Sequence, residues 1–543
     1  MEPTTEVSAR GHRRSLLFAY AVLIICGLQF LSIVVLRGMA ASMDYGLVNI
    51  LTLVIGFFVW LTLIFGLALL NVRFWVALLA LPLVAVAALL AFYQFERVDS
   101  ELIPRFRPRW TSAAAPRTET AADDSVPIDP SKFAPAADDF PQFLGVQRDA
   151  IVRYLRVNPD WNVSPPKIAW RQPIGNGWSS FAIQGDVAVT MEQQDQNECI
   201  SAYDIADGRQ LWIQKLPGIH SNVMGGTGPR ATPTIHANRV YTQTATGKVV
   251  CLELSDGKPV WQVCLLAMAE TTQAEFETGV AWGRSGSPLV VDDRLVIPVG
   301  GKPGNISTTL VALSLVNGTT LWRAGTDQIS YSSPTLATIR GVRQILYVSE
   351  NALAGHDIDS GKVLWSAAWP GSSSGDATAS QPIPLDDTRI LLSKGYSVGS
   401  KIVEIDRDQA GTWTTTLDSK ANGNGLLKTK FTSSVVKDGF AYGLSDGILE
   451  CVDTRDMRRR WKQGRYRHGH VLLINRHLLV TSEAGELVLV KASPAGFKEI
   501  AKMSVIGDVA WNTPALSGNR LLMRNSDEAA CVLLPTIDER MAD

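Results

Sequence analysis

Of 543 residues only six are cysteine, no two of them adjacent, and no Cys-x-x-Cys-His spacing occurs. A vicinal disulfide and a covalently attached haem are therefore not expected. Seven histidines without a His-Glu-x-x-His spacing give no zinc pattern, and His468 and His470, alternating along a strand, are expected to be solvated. Charge of one sign is not in excess: 51 Lys and Arg against 52 Asp and Glu leave a formal net charge of −1. That balance argues against nucleic acid or another polyanion as the main partner. Past the first hundred residues the long apolar runs end, and no segment of the repeat region sustains a 3.6-residue period.

What is present instead is a repeat. Ala202–Trp212 (AYDIADGRQLW) returns as Cys251–Trp261, Ala312–Trp322 and Gly355–Trp365, with a looser copy at Cys451–Trp461. Each of the four close copies has a small residue, alternating apolar positions, an Asp, Ser or Asn before Gly, and Trp four residues later, while the looser copy has Met457 in place of Gly. The alternation reads as a strand, the Gly pair as a hairpin turn needing positive φ, and the Trp as the anchor of the next strand. Upstream lies a second signature, a Ser/Thr-Pro start at Thr232-Pro233, Ser287-Pro288, Ser333-Pro334 and Thr513-Pro514, Gln381-Pro382 in one unit, and degenerate starts without Pro at Ser180, Ser434 and His470, each followed by two short apolar strands around a polar turn. Pro suits the first residue of a strand, where its missing N–H breaks no ladder bond. Joined, the two signatures give four strands per unit at a period of about 45–60 residues, which describes an all-β propeller. Eight starts and eight strand-ending aromatics (Trp170, Trp212, Trp261, Trp322, Trp365, Trp413, Trp461 and Phe497) predict eight blades. The last unit runs out after three strands, and Trp170 precedes the first start. Strand 167–173 is therefore expected to close the ring, which removes two open edges.

The first 95 residues read as a membrane anchor with three apolar runs, about 15–36, 47–70 and 74–92, none interrupted by a charge. Each is near the roughly 20 residues a spanning helix needs, and three runs exceed what a cleaved signal peptide carries. Basic residues flank the runs on both sides: Arg10, Arg13, Arg14 and Arg73 against Arg37, Arg97, Arg105, Arg107 and Arg109, a nearly even count. Residues 96–139, rich in Pro, Ala, Ser, Thr and Asp, are expected to be an extended linker. The propeller then covers 140–535, with a short tail, 536–543.

The copies with the small residue, Asp, Gly and Trp resemble the docking motif of the PQQ-repeat β-propellers, a group of quinoprotein dehydrogenases and a non-enzymatic propeller lipoprotein of outer-membrane protein assembly. Asp139–Asp149 (DFPQFLGVQRD) likewise resembles the leader of a subset of these proteins, with Leu144 and Ala150 departing from the usual Arg and Gly. The resemblance implies that the Trp residues pack between blades and that the column Ala202, Cys251, Ala312, Gly355 and Cys451 is buried. It also implies a funnel mouth lined by residues just before each start: Trp178, Arg230, Trp282, Arg284, Tyr331, Lys430, Arg467, Trp511 and Asn512, with Phe431 and His468 beside them. Aromatic and basic groups there could stack on and pair with an anionic planar ligand. A quinoprotein dehydrogenase would stack PQQ in that funnel, hold calcium with carboxylate and amide oxygens and use an Asp base. No such constellation is recognisable, and a Cys251–Cys264 bridge across one hairpin is left open. The reading taken is a membrane-anchored, extracytoplasmic propeller that binds a protein or cell-envelope partner without catalysis; the alternative is a PQQ-dependent dehydrogenase oxidising an alcohol or sugar and reducing membrane quinone.

Overall fold

A computed structural model of the chain describes residues 4–39, 45–69, 73–110, 128–417 and 425–537. They fall into two compact units, Met1–Ser112 and Ala113–Asp543. The first unit holds three helices, α1 (Thr4–Gly38), α2 (Tyr45–Leu69) and α3 (Arg73–Phe92). Leu17–Gly38 and Tyr45–Leu69 are long and apolar enough to cross a membrane. Three of their hydroxyls are satisfied within the helices: those of Ser32, Thr52 and Thr62 donate to the carbonyls of Leu28, Val48 and Phe58 one turn back. Gly66 lets α2 approach α1, since a Cβ there would lie 2.9 Å from Leu23 Cδ2.

The expected linker is shorter than its composition suggests. Tyr93–Val98 pairs with Pro104–Pro108 as a hairpin, and the Asp99 carboxylate at its turn accepts from the Glu101 and Ile103 amides at 3.0 and 2.9 Å. Such local side-chain acceptors hold a turn without apolar periodicity. At the other end Phe133 is buried and Asp139 accepts from the Gly185 amide at 2.8 Å. Residues 111–127 of that stretch, the joint at 71–72 and residues 538–543 lie outside the described residues.

The second unit is a propeller-like array of antiparallel sheets in which successive strands are neighbours. Its first sheet comprises Ala182–Gln184, Val187–Gln194, Asn197–Asp204 and Gln210–Pro217, and the pattern recurs through eight sheets among the described residues. In the last, Ala515–Ser517, Arg520–Arg524 and Glu528–Leu533 are completed by Lys167–Pro173, with Trp170 opposite Cys531. The first strands of neighbouring sheets touch, which places them around a common centre.

Register explains the repeated motif. The small residue stands directly opposite the Trp, Ala202 to Trp212, Cys251 to Trp261 and Ala312 to Trp322, and a bulge follows each pair. The bulge turns the indole toward the next sheet. There its N–H donates to a carbonyl: Trp170 to Ile205, Trp212 to Leu254, Trp261 to Leu315 and Trp322 to Ile358, at 2.8 to 3.0 Å. The ring covers the turn Gly of that sheet. A Cβ on Gly208, Gly257, Gly318 or Gly361 would come within 2.4 to 2.8 Å of the indole carbons. Trp365 departs from this pattern and donates to Gln344 Oε1 in its own sheet at 2.6 Å. The following sheet turns through Asp408–Thr412 and has no Asp-Gly hairpin to receive it.

The same register answers the cysteine question. Cys264 lies opposite Lys248 and is exposed, whereas Cys251 faces Trp261 and is buried, so the two do not bridge. Burial pushes the Cys251 thiol up to about 11 and that of Cys451 up to about 12. Both are inert small residues under an indole.

Candidate functional site

Most of the candidate rim residues converge, through two aromatic groups. Trp178 leans on Trp511 with ring centroids 4.8 Å apart, Phe431 on Trp511 at 5.4 Å, and His468 on Phe431 at 5.8 Å. Trp282 and Tyr331 form the second pair at 5.2 Å, and the Tyr331 hydroxyl accepts from the Trp282 amide while donating to Ser373 O. A short hairpin, Ser221–Asn222 paired with Gly226–Thr227, joins the groups. Its Gly225 carbonyl accepts from both Trp178 Nε1 and Arg230 Nη2 at 2.6 Å, and Asn222 Nδ2 reaches Ala281 O at 2.9 Å. Arg230 also donates to Gly228 O at 3.0 Å, and burial lowers its pKa to about 10.

The remaining candidates serve the scaffold. Asn512 donates to Ser179 O at 2.7 Å, and Lys430 is buried with its ammonium 5.7 Å from the Tyr396 ring. Arg467 is half-buried at φ 55°, with its Cα 2.7 Å from where a Cβ on Gly447 would sit. Arg284 is not a rim residue. It is fully buried, donates to Val299 O and lies 3.9 Å over the Phe276 ring, and burial lowers its pKa to about 9. Residues 265–279, whose helices Leu265–Met268 and Gln273–Gly279 carry Phe276, cover it. His468 and His470 are buried rather than solvated. His470 Nε2 lies 2.6 Å from Trp511 O, and burial pushes its pKa down to about 4.

Sequence reasoning missed the hairpin and its support. The run Gly225-Gly226-Thr227-Gly228 is a turn signal that could have marked it. His220 Nδ1 lies 2.8 Å from Glu277 Oε1, which also accepts from Gln273 Nε2 at 2.6 Å. Burial first, and Arg230 second, hold His220 below the usual histidine range. These partners are far apart in the chain, so no spacing announces them.

Chemically, the rim is a buttress. Its rings face one another, and Arg230 is directed to main-chain carbonyls. Among the described residues no group of three or more His, Cys, Asp or Glu side chains is placed to hold a metal ion. What the buttress presents is apolar: Ile219, Val223 and Met224 are 43, 63 and 44 % exposed.

Residues 196–463 match the family profile described as outer membrane protein assembly factor BamB. No curated protein matches the sequence. Among solved structures, a europium-containing methanol dehydrogenase is 10 % identical, covering 73 % of this chain and 98 % of its own, with a TM-score of 0.50. The quinohemoprotein alcohol dehydrogenase ADHIIG from Pseudomonas putida HK5 is 10 % identical over 76 % of this chain and 83 % of its own, with a TM-score of 0.51. BamB from Moraxella catarrhalis is 13 % identical over 68 % of this chain and all of its own, with a TM-score of 0.47. At these identities the structural likeness concerns the fold alone. Following its apolar helices, this chain carries a propeller-like fold whose repeats are similar to those of the PQQ-repeat family.

Proposed function

We propose that the chain is an eight-bladed propeller carried on three membrane-spanning helices, placed in the periplasm or outside the cell, that binds a protein or cell-envelope partner without catalysis. The observation that carries this reading is the hairpin at 221–227. Trp178 and Arg230 at the rim both donate to its Gly225 carbonyl, and its tip exposes Val223 and Met224. An exposed apolar protrusion marks a contact surface. The matched family's description, an outer membrane protein assembly factor, points the same way. The third span rests on the 20-residue apolar helix Arg73–Phe92.

The test is site-specific photo-crosslinking in native membranes, with the reactive residue at Val223 or Met224 and, as a control, at Val316, an exposed apolar residue elsewhere on the propeller. Discrete adducts at 223 and 224 but not at 316 are expected; identical patterns, or none, would refute the contact surface. The dehydrogenase alternative is tested by adding PQQ and calcium. A saturable quinone absorbance change with dye reduction by alcohols or sugars would overturn the non-catalytic reading. A periplasm-only reporter fused to the C-terminus checks the placement.

A further inference from the structure

The innermost strand of each sheet has a free edge at the centre of the ring, and the register says which residues use it. In the first sheet the turn-closing pair Gln184 and Val187 is hydrogen-bonded within the hairpin, so the preceding residue, Ile183, turns its N–H and C=O inward. By the same count the inward residues are Ile235, Val290, Leu336 with Thr338, Val436, Leu473 and Leu516. In the fifth sheet they are Pro382 and Pro384, which offer carbonyls only.

The leader segment bears this count out at four places. Ile183 and Phe140 exchange both main-chain bonds at 2.8 and 3.2 Å, and Ile235 donates to Pro141 O at 2.7 Å. Leu473 donates to Ala150 O at 2.9 Å, within the two-residue parallel ladder Ile151–Val152, and Tyr154 Oη donates to Leu516 O at 2.8 Å. Between these, Arg148 crosses to the third sheet and donates to Ser287 O and Pro288 O at 3.0 and 2.8 Å. The leader thus completes one side of the ring through two short extended pieces, Phe140–Pro141 and Ile151–Val152, separated by a run of turns at 142–150.

On the other side no hydrogen bond from the leader reaches Val290, Leu336, Thr338 or Val436. These residues line a cavity of about 610 Å³ together with Ile383, Pro384 and the leader itself. That volume is in the usual range for a ligand site. Its charged lining is already answered: Asp149 pairs with Arg153 at 2.5 Å and Arg148 is turned to carbonyls. The mouth follows from exposure, since Thr335 and Pro382 are buried, Leu336 and Ile383 half-buried, and Thr338 and Pro384 exposed. It opens at the far ends of the inner strands, away from the rim residues that precede them.

We propose that this cavity is a second binding site, which takes a short, neutral, extended peptide segment of a partner protein by main-chain pairing to the inner edges at Leu336, Thr338 and Val436. The occupant is a short extended segment because the leader, in the same channel and continuous with the cavity wall, meets equivalent inward residues with its own short extended pieces at Phe140–Pro141 and Ile151–Val152. It is neutral because the cavity offers main-chain groups, Ser433, Ser434 and Gln381 among apolar side chains, with no unanswered charge. The site stands apart from the rim, so failure of either leaves the other untouched.

The experiment uses the full chain in nanodiscs, titrated with acetyl-Val-Thr-Val-Thr-Val-amide and with the same peptide N-methylated at alternate amides. Hydrogen exchange is followed at Leu336, Thr338 and Val436. The unmodified peptide should bind and slow exchange at those amides, and N-methylation should weaken binding roughly tenfold or more, by about one lost pairing bond or two. Leu336→Pro and Val436→Pro remove inward donors without touching the ladder, and should weaken binding about as much at unchanged Tm. No binding of the unmodified peptide, equal binding of the N-methylated one (an apolar ligand only), or proline variants that fold and bind like the parent would each overturn the proposal.

Discussion

The clasp between sheets can be separated into its two physical parts by comparing two glycines. Gly257 has φ 69°, and a Cβ there would lie 2.5 Å from Trp212 Cε3 and 2.8 Å from Cδ2. Gly341 has nearly the same φ, 72°, with nothing within 4 Å. Ala at Gly341 therefore meets only the cost of a left-handed backbone, about 1–2 kcal/mol. Ala at Gly257 adds displacement of a buried indole, about 1–3 kcal/mol, and loosens the Trp212 N–H bond to Leu254 O. The expected totals are about 3–5 kcal/mol for Gly257→Ala against about 1–2 for Gly341→Ala. With an unfolding entropy of about 2.1 cal/mol/K per residue over roughly 400 residues, each kcal/mol shifts Tm by about 1 °C. Circular dichroism melts of the full chain should thus place Gly257→Ala several degrees below the parent and Gly341→Ala only about 1–2 °C below. Equal shifts for the two would show that the indole contact contributes nothing and that the motif Gly serves the turn alone.

Removing Lys167–Pro173 should destabilise the whole ring, because it orphans the Glu528–Leu533 edge; a chain starting at Gly175 that melts cooperatively at the parent temperature would refute closure. Arg148→Met should cost about 2–4 kcal/mol by leaving the Ser287 and Pro288 carbonyls without their donor, read as faster proteolysis of the leader. His470, held down to about 4 by burial, is neutral in the fold while the unfolded chain protonates below about pH 6.5. Its contribution is constant above that pH and falls by up to about 1.4 kcal/mol per pH unit until about pH 4. His470→Gln should flatten the denaturation profile between those values, and an unchanged slope would refute the assignment.

Much of the propeller is legible because each unit repeats a local instruction. Alternation makes strands, the Gly pair makes turns, and the position of Trp four residues later sets which ring meets which neighbour. The failures are equally physical. The hairpin at Tyr93–Val98 is held by one Asp carboxylate, and composition averaged over 96–139 hides it. Trp365 carries the motif yet bonds to Gln344, because a clasp needs a receiving turn that the next unit lacks. Arg284, Lys430 and His468 read as polar rim residues, and His470 as a solvated strand residue, but all four lie buried, since nothing in a sequence counts what packs over a side chain.

By itself, then, the sequence determined the strand class, the repeat unit, the partnership of small residue, Gly and Trp, and the apolar helices, all set by neighbours within about a dozen residues. Only the tertiary structure decided that the rim residues support a hairpin and which inward main-chain groups the leader occupies, because those contacts join residues hundreds of positions apart and depend on how the sheets come together around their centre.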